Sequence, residues 1–101
     1  MDVRGFSFDG IAHIALSGKF DEKAIRAFRQ ACDGAVTSSC DTQVEVDLSE
    51  VSYIDSAALS MLILLREKAS AVRKAVSLKT RPGAVRDVLA TAHFEKLFAF
   101  E

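Results

Sequence analysis

The residues with the clearest chemical potential are Asp55 and Ser56, an adjacent acid and hydroxyl that precede the apolar run Ala57-Ala58-Leu59-Ser60-Met61-Leu62. Aspartate and serine both favour the first position of a helix, so the pair marks a helix start. A helix start offers unpaired backbone N–H groups and a partial positive charge. An anion attached to Ser56 would therefore be well placed, and the chemistry on offer is a hydroxyl that a phosphate could modify. The plainer alternative is a cap with no further role, and these residues alone do not separate the two.

Other chemistries fit poorly. No Gly-x-Ser-x-Gly elbow surrounds Ser56, adjacent Asp and Ser side chains cannot form a base relay, and His13 and His93 fall in a predicted strand and a predicted tail helix. The sequence therefore predicts no enzyme. The histidines lack Cys or acidic companions at ligand spacing, so no metal or other cofactor is expected. Thirteen basic and 14 acidic residues, spread without blocks, give a net charge of −1 and no electrostatic footprint for nucleic acid or an anionic membrane. Proteins are the expected partners.

At 101 residues, half of them hydrophobic, the chain suits one domain spanning residues 1–101. Cys32 and Cys40 lie outside any metal-type spacing and read as reduced thiols. The N-terminus lacks the basic-then-apolar order of a signal peptide. The longest apolar run, Ala57 to Leu65, is interrupted by Ser60 and closed by Arg66. A cytoplasmic protein without direct membrane insertion is expected.

The elements that must position Asp55 and Ser56 follow from periodicity. Asp9-Gly10 separates two strand-like runs, 3–8 and 11–16, and suits a type I′ turn, so the chain opens with a β-hairpin. Asp21 can cap a first helix with Ala24, Ile25, Phe28, Ala31 and Cys32 on one face, ending near Gly34. Val44, Val46 and Leu48 alternate with Glu45 and Asp47 as a strand, after which a short loop delivers Asp55.

A second helix, from about Ser56 to Arg73, places Ala58, Leu62, Leu65, Ala69 and Val72 on a core stripe. It also carries Ala57, Leu59, Met61, Ile63 and Leu64, more apolar residues than one buried face needs. Either these pack beneath neighbouring elements, or some form a patch beside Ser56, with Ala57, Ser60 and Met61 expected to be the most exposed. Residues 75–80 read as a strand, and Pro82 suits the first turn of a third helix carrying Val85, Val88, Leu89 and Ala92. The apolar tail admits a short final strand over Leu97–Phe100. The order ββαβαβα defines an α/β domain with a mixed four- to five-stranded sheet packed against helices.

With these residues placed, the chain resembles the STAS domain, the fold of bacterial anti-sigma factor antagonists. Leu16-Ser17-Gly18-Lys19-Phe20-Asp21 is similar to the family's strand-end Leu-Thr-Gly-x-Leu-Asp. The segment 44–49, followed by Tyr53-Ile54-Asp55-Ser56, is similar to its central strand and phosphoacceptor turn. The resemblance implies that Ser56 is the phosphoacceptor. It also implies that partners bind through Gly18, Lys19, Phe20, Asp21, Asp55, Ser56, Ala57, Ala58, Leu59, Ser60 and Met61.

The implied partners are an anti-sigma factor or ATP-dependent serine kinase, with a protein serine phosphatase acting on phospho-Ser56. The alternative is a non-phosphorylated STAS subunit of an ABC-type membrane transport complex. Where many members read Asp-Ser-Ser/Thr-Gly-Leu-Gly, this chain has Ala57, Ala58 and Ser60, so the second hydroxyl and both glycines are absent. Alanine in place of glycine firms a helix by about 1 kcal/mol.

Overall fold

The computed structural model describes residues 2–38 and 41–100. Cys40, read above as a reduced thiol, lies outside them. Strands β1 (Asp2–Phe8) and β2 (Ile11–Phe20) form the expected hairpin. Asp9 and Gly10 both have positive φ, 55° and 77°, as a type I′ turn requires. Helix α1 (Ile25–Thr37), strand β3 (Gln43–Ile54), helix α2 (Ser56–Ala71), strand β4 (Ala75–Lys79), helix α3 (Ala84–Thr91) and strand β5 (Ala99–Phe100) follow. The final strand is shorter than Leu97–Phe100.

The strands lie side by side in chain order, β1-β2-β3-β4-β5, parallel except for the opening hairpin. Parallel crossovers are right-handed, so a monotonic order places all three helices on one face of the sheet. Burial follows this rule. Ala12, Ile14 and Leu16 of β2, Val44, Val46 and Leu48 of β3, and Leu78 of β4 are buried against Phe28 and Cys32 of α1, Ala58, Leu62 and Leu65 of α2, and Val85 and Leu89 of α3.

Several boundaries differ from expectation for local reasons. Helix α1 runs past Gly34 to Thr37, because Ala35 beyond it is buried and tertiary packing outweighs glycine's weak helix propensity. Val72 is the C-cap of α2 and is exposed, so it leaves the core stripe. Pro82 precedes the third helix, whose N-cap is Gly83. Val88 and Ala92 face solvent, while Val85 and Leu89 alone carry that helix's burial. His93 is not helical but sits in a left-handed turn at φ 60°.

The largest difference is β3, which continues for 12 residues where a loop was expected. Its pairing with β2 shifts between Ala15 and Ser17 and again between Gly18 and Lys19. Each shift places one extra residue in β3. The buried positions of β3 are therefore spaced two, two, three and three apart: Val44, Val46, Leu48, Val51, Ile54. A search for strict alternation loses the strand at Leu48, although the strand itself does not end there.

Burial pushes the Cys32 thiol up to about 12. Asp41 is the one buried charged side chain among the described residues. Its Oδ2 accepts from Ser7 Oγ at 2.7 Å and Ser38 Oγ at 2.9 Å, tying the hairpin to the end of α1. Those bonds, the Ser7 one foremost, with help from the Lys74 charge, hold its carboxyl below the usual carboxylate range.

A depressed folded-state value contributes stability above the unfolded value and loses it as pH falls through the folded one. Asp41→Asn should therefore melt at lower temperature than wild type at pH 7. That gap should close as pH is taken below about 4, where the unfolded-state carboxyl protonates. Thermal denaturation followed by circular dichroism across this pH range checks both parts.

Candidate functional site

The site is built where β2 and β3 end side by side. Gly18 adopts φ 98°, which costs a residue bearing a Cβ but not glycine, and the pairing shift there turns β2 toward its final residues. Lys19 then pairs with Tyr53, and Phe20 with Ile54. Beyond the ladder, the N–H of Asp55 donates to the carbonyl of Phe20 at 3.3 Å. Two segments more than 30 residues apart in sequence, 18–21 and 55–56, thus become one surface. It lies at the carboxyl ends of parallel strands, the usual position of sites in sheets of this kind.

Both aspartates act as caps. Asp21 Oδ1 accepts from Lys23 N at 3.0 Å and starts a short 3-10 turn, Glu22–Ala24, that leads into α1. Asp55 Oδ1 accepts from Ala58 N at 2.9 Å, and its carbonyl accepts from Leu59 N at 3.1 Å. The N–H groups of Ser56 and Ala57 precede both bonds, so they remain at the positive end of a 16-residue helix. Ser56 is the first residue of α2 and is exposed. Ser60, also exposed, turns its hydroxyl back to the Ser56 carbonyl at 3.0 Å. It is occupied locally where Ser56 projects outward.

Gly18, Lys19, Ser56 and Ser60 are exposed, and Asp21, Asp55, Ala57, Leu59 and Met61 are half-buried. Phe20 and Ala58 are corrections to the expected binding surface. Both have no exposed area, Phe20 packed on Phe28 with ring centroids 4.8 Å apart and Ala58 turned into the core. The alternation that exposes Lys19 turns Phe20 inward, and a helix's first turn cannot show every side chain. These two shape the site from beneath.

Met61 is also less outward than expected. It packs against the core as Leu59 and Ile63 do, so the wide apolar face of α2 is largely absorbed by its neighbours.

Two features escaped the sequence reading. Tyr53 is half exposed because the second pairing shift in β3 turns it outward beside Lys19. The second is an open cleft of about 350 Å³ between α2 and α3, lined by Leu59, Asp87, Val88, Thr91 and Ala92. In the sequence Val88 reads as one more apolar residue of the third helix, and only the packing of the two helices shows that it is exposed and shares the cleft with Leu59. Among the described residues, no group of side chains could hold a metal ion, and no helix is long and apolar enough to cross a membrane.

A mixed sheet with its helices on one face and a capped Asp-Ser turn at the end of the central strand defines a STAS domain. The chain belongs to that family: residues 5–99 match the family model described as "Mlab, STAS domain". A STAS-domain containing protein of Pseudomonas aeruginosa (strain UCBPP-PA14) is 38% identical over 85 residues, which are 84% of this chain and 82% of that protein.

Among solved structures, an anti-sigma factor antagonist from Mycobacterium paratuberculosis superposes with a TM-score of 0.87 at 24% identity, over 98% of this chain and 83% of that one. The anti-sigma factor antagonist SpoIIAA in its unphosphorylated form gives 0.76 at 17% identity, over 99% and 87%. The Bacillus cell fate determinant SpoIIAA in its phosphorylated form gives 0.75 at 16%, over 99% and 91%. These likenesses establish the fold.

The cap sets the geometry of the whole turn, so its loss should be measurable without any partner. Asp55→Ala should cost about 1 kcal/mol of stability, while Asp55→Asn, which keeps a cap acceptor, should cost at most about half of that. Urea denaturation of the three proteins checks the order.

Proposed function

We propose that this domain is a phosphorylation-controlled protein-binding switch, an anti-sigma factor antagonist in a bacterial partner-switching pathway. In this reading it works in the cytoplasm and catalyses no reaction itself. The observation that carries the proposal is the placement of Ser56, an exposed hydroxyl at the first residue of α2, beside a capped aspartate and joined to the 18–21 segment through the Phe20 carbonyl. One fold relative has been solved in an unphosphorylated and in a phosphorylated form, which supports a fold that tolerates the modification.

Unmodified, the surface of Gly18, Lys19, Asp21, Ser56 and Ser60 would dock an anti-sigma factor or an ATP-dependent serine kinase. Tyr53 supplies the exposed aromatic contact that such interfaces favour. Phosphorylation adds about −1.5 to −2 charge at Ser56, next to Asp55. The helix start receives that charge favourably, because free N–H groups and the positive helix end lie there. A partner that had accepted a neutral hydroxyl must instead desolvate a dianion and face the Asp55 charge, and the complex comes apart. A protein serine phosphatase would restore binding, while ATP and Mg²⁺ belong to the kinase.

The cleft between α2 and α3 favours a second reading. Leu59, Val88 and Ala92 offer an apolar contact that needs no hydroxyl, as a STAS subunit docking on the ATPase of an ABC-type transport complex would use. Phosphorylation separates the two readings. Incubation with the cognate kinase and ATP should add one phosphate, placed on Ser56 by mass spectrometry. A phosphate found on Ser49, Ser52 or Ser60 would overturn the assignment.

Substitutions give an independent check by calorimetry. Ser56→Ala should keep partner binding, and Ser56→Glu should weaken it by about 2 kcal/mol or more. Equal affinities would favour the transport subunit.

A further inference from the structure

The sheet ends on two unlike edges. β5 has two residues, too short to template much pairing, whereas β1 presents seven with no proline and no shift in its pairing. Closure of the hairpin by the two-residue Asp9-Gly10 turn makes Phe8 and Ile11 a hydrogen-bonded pair. Alternation along the ladder gives the same role to Phe6 with His13, Arg4 with Ala15 and Asp2 with Ser17. The N–H and C=O groups of Val3, Gly5 and Ser7 therefore point away from β2.

The side chains of Val3 and Ser7, and the bare Cα of Gly5 between them, lie on the helix face, where a cleft of about 520 Å³ separates them from Ala27, Ala31 and Gly34 of α1. A methyl group at Gly5 or Gly34 would have nothing within 4 Å. A strand laid along β1 would meet open backbone and room for its side chains.

We propose that the occupant is the β1 strand of a second copy of this chain, antiparallel, with Gly5 opposite the partner's Gly5 on a two-fold axis. Only outward-facing residues can exchange hydrogen bonds, which limits the registers. With the axis at Gly5, Val3 lies opposite the partner's Ser7, all seven residues pair, and three pairs exchange two bonds each. Arg4 then lies opposite the partner's Phe6. That ring is 55% exposed and already stacked on His13 at 4.9 Å, so the guanidinium completes a sandwich.

The neighbouring register, with Val3 opposite the partner's Gly5, pairs only five residues and sets Arg4 against the partner's Arg4, a like-charge contact. The register on the other side also pairs only five residues, setting Arg4 opposite the partner's Phe8 and Phe6 opposite the partner's Phe6. Length selects the seven-residue register over both, and charge counts further against the one that pairs Arg4 with the partner's Arg4. Pairing also covers Phe8, 71% exposed in the single chain, and leaves only the two short β5 edges. An edge-to-edge contact is small, so the dimer is of the weak, concentration-dependent kind. It shares no residue with the Ser56 turn.

Cysteine pairing tests the register. In a hydrogen-bonded antiparallel pair the Cα atoms are about 5.5 Å apart, within the roughly 4.4–6.8 Å that a disulfide spans. In a Cys40→Ser background, Gly5→Cys should form a disulfide-linked dimer under mild oxidant at least about tenfold faster than Ser7→Cys, which faces the partner's Val3. Sedimentation equilibrium of wild type should show mass rising toward two chains with concentration. Gly5→Pro removes an N–H that β2 does not use, and should remain one chain with an unchanged circular dichroism spectrum. Equal oxidation rates at positions 5 and 7, or a wild-type protein of single-chain mass at its highest soluble concentration, would overturn the proposal. The cysteine comparison stands even if Gly5→Pro fails to fold.

Discussion

The hydrogen bond from the Asp55 N–H to the Phe20 carbonyl is the constraint on which the rest of the site depends. It continues the β2–β3 pairing one step beyond the last ladder pair and fixes where β3 stops and α2 starts. The two extra residues in β3 bring the ends of the two strands level, and Gly18, at positive φ, lets β2 follow. Phe20 is fully buried, so the bond is anchored in the core, while the hydroxyl it positions is outside. An exposed side chain is thereby held by a buried scaffold, the arrangement a recognition site needs.

Much of this was legible in the residues. Asp9-Gly10 specifies its turn chemically, the amphipathic spacing of Phe28 and Cys32 specifies the inner face of α1, and Asp55 specifies a helix start with an acceptor of the right length. What escaped was non-local. The β3 pairing shifts have no signature in β3 alone, because the extra residues are defined only against β2. Phe20 and Ala58 fall in the binding surface that the resemblance implies because they sit inside a motif, although helical spacing already places Ala58 on the core stripe. A motif marks neighbouring residues, whereas strand alternation and helix phase decide which of them reach solvent. Val72 failed for the opposite reason, since its spacing fits the core stripe but the helix beneath it has already ended.

Fold and the proposed switch would place different demands on the same turn. A phosphate at Ser56 would sit where a helix most readily accepts negative charge, so modification need not strain the domain. In the proposed switch the cost would fall on the complex instead, where a dianion and the neighbouring Asp55 would have to be desolvated together. The alanines at 57 and 58 strengthen this separation by stabilising the first turn of α2 whatever the state of the hydroxyl. A switch of this kind would change affinity without changing shape.

The most direct measurement compares one protein in two chemical states. Isothermal titration of the cognate partner with unmodified protein, and with the same protein stoichiometrically phosphorylated at Ser56, should show affinity falling by about two orders of magnitude or more, while the melting temperature of the free domain hardly moves. Equal affinity of the two states, or loss of affinity together with unfolding of the free domain, would contradict the account.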